Sequence, residues 1–347
     1  MKQKEILGGF AQLGKLMRAL GNNNEWKDFS VGVTESEYQT LIGIINRQVS
    51  YNGWFTKENV RKALLNLGNQ LTEEKLTNWT SNYAFTEQPK RIGIIMAGNI
   101  PLVGFHDFLC VLCSGNKAVC KLSSNDKTLL PALANHLIEF CPVLKELIEF
   151  SAGKIGEMDG VIATGSDNSI KYFEQYFGKY PHIFRKNRTS VAVLDGSETK
   201  EDLNKLGEDI FAYFGLGCRN VSHLFIPESF AIDRFFEAIV PFGDVIHNNK
   251  YGNNYDYHRA VYLMNQIPLL DNNFVLLRES DELFSPLAIL HYERYKDLDA
   301  VKEKLSKYKD DIQVVIGKDF ETFGTSQDPI LTDYADGVDV MDWLSNI

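Results

Sequence analysis

No stretch of the 347-residue sequence reaches the roughly 18 consecutive apolar residues of a membrane-spanning helix, so no membrane span is expected. The opening Met1-Lys2-Gln3-Lys4-Glu5 leads into an apolar run too short for a signal peptide, which makes the cytoplasm the expected location. Basic residues are in deficit: 36 Lys and Arg face 46 Asp and Glu, for a net charge of -10. That balance argues against a nucleic-acid or anionic-membrane partner and confines any phosphate site to a local cluster. Cysteine is scarce and odd in number, five in all, so a secreted disulfide framework is not expected. There is no internal repeat and no low-complexity linker. What remains, 44% hydrophobic and 24% charged, suits a globular chain of about two domains.

Along the chain, residues 1–88 read as helices joined by polar turns. Phe10, Leu13, Leu16, Met17 and Leu20 recur at three- and four-residue spacing before Gly21-Asn22-Asn23-Asn24. Tyr38 to Ile45 and Asn59 to Leu67 repeat the pattern. The aromatics of this layer, Trp26, Trp54, Phe55 and Trp79, suit packed core better than the wall of a greasy channel. At Arg91 the texture changes to Arg91-Ile92-Gly93-Ile94-Ile95-Met96-Ala97, the nearly continuous apolar run of a strand buried on both faces. Ala118 to Leu122 and Gly160 to Thr164 are further strands. Helices are expected over Leu102 to Cys113, in segments after Asp126 running to about Phe150, and over Ile170 to Phe177. This alternation predicts a parallel sheet with ligands at the strand C-termini. The alternation restarts after Val191-Ala192-Val193-Leu194-Asp195, and a domain boundary is placed there.

Several short motifs bear on chemistry. In Phe214-Gly215-Leu216-Gly217-Cys218-Arg219-Asn220, glycines before the cysteine permit a sharp turn and close approach to the sulfur. Cys218 is a candidate nucleophile, since a thiol ringed by backbone N–H groups attacks as the thiolate; a small residue buried at a tight turn is the alternative. The same string mimics a dinucleotide fingerprint, but helix precedes it and strand follows, the reverse of the required order. Asn99 follows a strand end and could donate to a developing oxyanion, or serve only the turn. Lys121 puts a cation at the end of an apolar strand, as a ligand contact or a snorkelling surface group. Gly165-Ser166 precedes a helix, offering N–H groups to a phosphate or simply capping the helix. Cys110 and Cys113 form a Cys-x-x-Cys pair, but on an apolar helix face with no second pair, so no metal site is expected.

In their order, Gly98-Asn99-Ile100-Pro101, Ser114-Gly115-Asn116 leading to Val119-Cys120-Lys121, Thr164-Gly165-Ser166, Gly217-Cys218 and Glu282-Leu283-Phe284-Ser285-Pro286 resemble the aldehyde dehydrogenase superfamily. Within it the chain resembles the LuxC-type acyl-CoA reductases, from about Lys90 onward. The resemblance implies an α/β fold with a Rossmann-type parallel-sheet cofactor domain, an α/β catalytic domain and a helical N-terminal layer. With the boundaries read above, the helical segment is expected at 1–88, the dinucleotide-binding domain at 89–195, the catalytic domain at 196–325 and a C-terminal return segment at 326–347. It implies Cys218 as catalytic cysteine and Asn99 as oxyanion-hole asparagine. Lys121 would hold the adenosine ribose, Gly165 and Ser166 would lie beside the cofactor phosphates, and Glu282 and Phe284 would position the nicotinamide ribose and ring. Two departures are informative. Phe184, in Phe184-Arg185-Lys186-Asn187-Arg188, stands where the glutamate general base of typical aldehyde dehydrogenases is found, which favours reduction over hydrolysis. Ser124 stands where NAD-preferring relatives often carry a glutamate that repels a 2′-phosphate, so NADPH is the expected cofactor, with NADH also allowed.

The expected reaction is therefore reduction of an acyl thioester, acyl-CoA or acyl-protein and of long chain, to the aldehyde through an acyl-cysteine. The basic run after Phe184 either anchors cofactor or coenzyme A phosphates or is solvated surface. An acyl-protein synthetase and a second copy of the chain are the protein partners the resemblance suggests. The alternatives are an aldehyde-oxidising dehydrogenase, which Phe184 opposes, and a silent acyl-transfer scaffold, which the complete set Asn99, Cys218 and Glu282 opposes.

Overall fold

A computed structural model describes residues 2–151, 153 and 155–347. The chain divides into two compact units, one of residues 1–186 with 330–347 and one of residues 187–329.

The first unit begins with a helical layer: α1 (Lys2–Gly21), α2 (Glu35–Tyr51), α3 (Lys57–Gln70) and α4 (Glu73–Thr80). Three of these start at threonine caps, and at Thr34 the box is reciprocal, with Glu37 accepting the Thr34 N–H. Such a cap contributes about 1 kcal/mol. The periodic residues of α1 are buried as a continuous face, and Gly14 lets the helix press against Leu71, whose carbonyl any added Cβ would overlap. Phe55 and Trp79 are core, with Trp26 and Trp54 packed against the same cluster.

The sheet of this unit contains β1 (Arg91–Ile95), β2 (Lys117–Lys121), β3 (Ile148–Phe150), β4 (Gly160–Thr164) and β5 (His182–Arg185). Its order is β3-β2-β1-β4-β5, with every pair parallel. The connecting helices are α5 (Phe105–Cys113), α6 (Leu129–Phe140) and α7 (Asp167–Phe177). Both faces are covered: Ile92 and Ile94 join the large cluster with Phe108 and Leu109, while Val161 and Ala163 pack with Phe173 and Phe177. That double burial is why the strands read as unbroken apolar runs.

Three local expectations need correction. The helix expected as far as Phe150 ends at Phe140, and β3 follows a 3-10 turn over Pro142–Glu146. The short edge strand β5 carries no long apolar run, and the sequence gives no sign of it. α5 starts at Phe105 because Leu102 adopts a left-handed backbone, φ 59°, and donates its N–H to the buried Asp126 carboxylate.

The second unit contains β6 (Thr189–Val193), α8 (Lys200–Phe211), β7 (Val221–Pro227), α9 (Ile232–Ile239), α10 (Asn249–Met264), β8 (Leu270–Asp271), β9 (Leu276–Glu279), β10 (Ile289–Tyr295), α11 (Leu298–Lys307) and β11 (Ile312–Ile316). Its sheet runs β11-β6-β7-β10-β9-β8, parallel except for β8 against β9. The unit starts at Asn187, ahead of the Val191–Asp195 run, because β6 pairs with β7 and β11 rather than with the first sheet. From Ile330 the chain belongs to the first unit again, where Trp79 donates to Tyr334 Oη at 2.8 Å and His106 Nε2 meets the Leu331 carbonyl at 3.0 Å. Among the described residues no helix is long and apolar enough to cross a membrane.

Candidate active site

α8 ends at Phe211, and the chain then reverses through two consecutive left-handed non-glycine residues, Tyr213 at φ 52° and Phe214 at φ 59°, before Gly215 at φ 78°. Such residues cost on the order of 1 kcal/mol or more each and persist only where neighbours over-determine them. Here the neighbour is Asn220. Its buried amide donates to the carbonyls of Asp209 (3.1 Å), Ile210 (3.3 Å) and Ala212 (2.9 Å), and its oxygen accepts the Gly217 N–H at 2.8 Å. One side chain thus satisfies the carbonyls left open at the end of α8 and closes the turn. Ser190 Oγ donates to the Cys218 carbonyl at 3.0 Å, tying the turn to β6. The Asp209 carboxylate accepts from the N–H groups of Gly324 (2.7 Å) and Ser326 (2.9 Å), and Arg219 donates to the Ser326 carbonyl at 3.3 Å.

On this braced turn Cys218 is exposed. The other four cysteines are buried. Burial pushes the thiols of Cys110, Cys113, Cys120 and Cys141 upward, which keeps them protonated and unreactive at neutral pH. Among the described residues no group of three or more His, Cys, Asp or Glu is placed to hold a metal. Sequence reasoning names Asn220 only as part of the cysteine stretch; an asparagine at a helix-to-strand reversal is the signal of its bracing role.

Glu282 and Phe284 lie on the segment between β9 and β10 of the same unit. The Glu282 side chain is 67% exposed, with Arg278 3.9 Å away, and Phe284 is 41% exposed. Leu283, between them, is buried against Val191, Val193 and Phe225.

In the first unit the expected cofactor residues and the expected oxyanion-hole residue Asn99 share one sheet edge. Lys121 is the last residue of β2 and pairs with Ile95, the last of β1, while Ile95 also pairs with Ala163 near the end of β4. The continuations of these strands carry Asn99, Ser124, and Gly165-Ser166, so with Lys121 all five lie at or just beyond the carboxyl ends of neighbouring strands. The strand order reverses between β1 and β4, the crevice where open α/β sheets take ligands. Asn99, Lys121, Ser124 and Ser166 are exposed. Gly98 is required by close approach: an added Cβ would collide with Ser123 Oγ. At Gly165 it would lie 2.7 Å from Ser169 Cβ, so the β4-to-α7 turn is equally tight. Ser166 is the N-cap residue of α7, yet its hydroxyl makes no cap hydrogen bond and lies 3.2 Å from Ser169 Oγ.

Phe184 sits on β5, its ring stacked on His182 at 4.0 Å and tilted against Phe173 at 5.8 Å. The basic run after it is not a phosphate anchor at its first position. Arg185 is buried and donates to both oxygens of the buried Asp107, at 2.5 and 2.8 Å, a pairing that a guanidinium taken out of water requires. Nor is Arg188 plain solvated surface, since it donates to the Ile312 carbonyl at 3.4 Å.

Comparison with known proteins identifies the fold and the family. The profile of the family described as acyl-CoA reductase (LuxC) matches residues 37–240, which include Asn99, Lys121, Ser124, Gly165, Ser166 and Cys218. Among solved structures, HpcC from Thermus thermophilus superimposes with a TM-score of 0.61 at 15% identity, covering 91% of this chain and 70% of that one. An aldehyde dehydrogenase from Bacillus cereus, solved as its NAD+ complex, gives 0.60 at 14% identity over 91% and 72% of the two chains. The P. syringae indole-3-acetaldehyde dehydrogenase AldA gives 0.58 at 13% identity over 90% and 71%. No curated protein matches the chain in sequence. At these identities the structural likenesses speak for the fold, and with the family match they bear out the expected α/β, aldehyde-dehydrogenase-like architecture. The chain belongs to the acyl-CoA reductase (LuxC) family, oxidoreductases built here on the aldehyde dehydrogenase fold.

Proposed function

We propose that this protein reduces a long-chain acyl thioester, carried on coenzyme A or on a protein, to the aldehyde with NADPH through an acyl-cysteine. The observation that carries this reading is Cys218: the exposed cysteine, on a strained and braced turn, inside the family match. The Cys218 thiolate attacks the thioester carbonyl carbon, and the C–S bond to the carrier breaks as the carrier thiolate leaves and takes up a proton. The N–H of Cys218 and the Asn99 amide are assigned to the oxyanion that forms in this attack.

The sheet edge of the first unit suits a dinucleotide. Gly165 permits the tight turn into α7, and the Ser166 hydroxyl, although at the cap position, makes no bond to the helix N–H groups. Lys121 and Ser124 would meet the adenosine ribose and its 2′-phosphate, and Glu282 and Phe284 the nicotinamide riboside. When bound, the cofactor supplies the hydride that takes the acyl group to the aldehyde level. Cys218 then departs as thiolate while the carbonyl reforms. Phe184 puts an aromatic ring, not a carboxylate, at the position of the water-activating base, so the acyl-cysteine persists until it is reduced. An acyl-protein synthetase is a fitting upstream donor, and self-association is part of the same reading.

The test is direct: protein, a long-chain acyl-CoA and NADPH are mixed and the reduced-nicotinamide absorbance is followed. Its loss, with aldehyde in the product, is the expected result. Release of free acid without loss of NADPH would overturn the reductase reading.

A further inference from the structure

The segment Asp281-Glu282-Leu283 makes no regular strand, yet side chains from three elements hold its consecutive carbonyls. Lys304 of α11 donates to Asp281 O at 3.2 Å, and Ser222 of β7 donates to Leu283 O at 2.7 Å. The carbonyl between them, Glu282 O, takes two imidazoles: His223 Nδ1 at 3.0 Å and His291 Nδ1 at 2.9 Å. These histidines are register partners on the adjacent parallel strands β7 and β10, and both are fully buried.

A carbonyl can only accept, so both rings must carry the proton on Nδ1. Each Nε2 is then a lone-pair nitrogen, and both are buried with no hydrogen-bond partner among the described residues. Burial also holds the pair neutral, pushing His223 down to about 4 and lowering His291. Two neutral imidazoles, each with an unsatisfied nitrogen, are a costly way to fill an interior that leucine would fill without penalty. Their contribution is the shared carbonyl. With that carbonyl fixed and Leu283 buried, the side chains of Glu282 and Phe284 are left on the exposed side.

We propose that His223 and His291 are positioning residues, which together hold the Glu282 carbonyl and so turn Glu282–Phe284 into a fixed platform for the nicotinamide riboside of the cofactor. This rests on the cofactor reading of Glu282 and Phe284 given above, and it assigns a role to two residues that the reading itself leaves unused.

The experiment compares the full-length protein with His291→Leu, which removes one donor, and His291→Asn, whose amide can reach the same carbonyl. Three quantities are read: hydrogen exchange of the peptide spanning 280–286, KM for NADPH, and the rate of acyl loading onto Cys218 without cofactor. His291→Leu should speed exchange in that peptide and raise KM for NADPH roughly tenfold, with acyl loading within about twofold of the unaltered protein. His291→Asn should recover most of both losses. Unchanged exchange in His291→Leu overturns the proposal. So does a parallel fall in acyl loading that the asparagine fails to rescue, which would mark the histidine as merely structural. If the unaltered protein does not use NADPH while His291→Leu still speeds exchange, the cofactor reading and the role drawn from it both fall, and only the bracing of the segment stands. The exchange and cofactor measurements thus separate the two failures.

Discussion

The two units present their candidate residues by different physical means. In the first, Asn99, Lys121, Ser124, Gly165 and Ser166 lie where parallel strands end, and the turns are shaped by the absence of side chains, with Gly98 and Gly165 allowing contacts that a Cβ would block. In the second, Cys218 lies ahead of β7 rather than at a strand C-terminus, on a backbone that sterics disfavour, and polar side chains hold it there. A glycine-shaped edge leaves room for a large ligand to lie along it. A side-chain-braced turn holds one atom still, as a nucleophile requires. The comparison teaches that the binding edge should fail by steric intrusion, whereas the nucleophile turn should fail by loss of a single hydrogen-bonding hub.

Cys218→Ala should give the largest effect, abolishing acyl loading while leaving cofactor affinity intact; intact-protein mass spectrometry with peptide mapping reads it. Acyl groups found instead on Cys110, Cys113, Cys120 or Cys141 would break the contrast between one exposed thiol and four buried ones. Asn220→Ala comes next. It strands the carbonyls at the end of α8 and the N–H of Gly217, and should lower stability by about 3 kcal/mol in urea unfolding, with slower acyl loading. A loss below about 1 kcal/mol would mean that the strained turn is held by something other than this amide.

Ser124→Glu sharpens the other side. A carboxylate there would repel a 2′-phosphate, so kcat/KM with NADPH should fall roughly tenfold to a hundredfold more than with NADH. Equal losses for both cofactors would remove Ser124 from the ribose site. The smallest effect is expected from Gly98→Ala, whose methyl must displace Ser123. It should cost on the order of 1 kcal/mol, raise KM for the cofactor severalfold and, because Asn99 is the next residue, slow acyl loading by a similar factor. If neither KM nor acyl loading changed, the Gly98 turn would shape neither the cofactor edge nor the position of Asn99.

By itself the sequence determined the features that depend on near neighbours. Helical spacing marked the N-terminal layer, unbroken apolar runs marked β1, β2 and β4, and the glycines around Cys218 marked a sharp turn. The order of short motifs was enough for the family. β3 and β5 escaped because three or four residues with polar members carry too little periodicity, and they become strands only by pairing with β2 and β4. Arg185 looked like a surface cation because its partner, Asp107, lies 78 residues away. Asn220 reaches back only as far as the end of α8, whereas a long separation hides the bracing of Glu282, whose carbonyl His223 finds 59 residues on. Local spacing fixes which face of an element is apolar. Only the register of β7 beside β10 decides that two buried imidazoles meet at one carbonyl, because a hydrogen bond requires atoms within about 3 Å and nothing in their spacing along the chain brings them there.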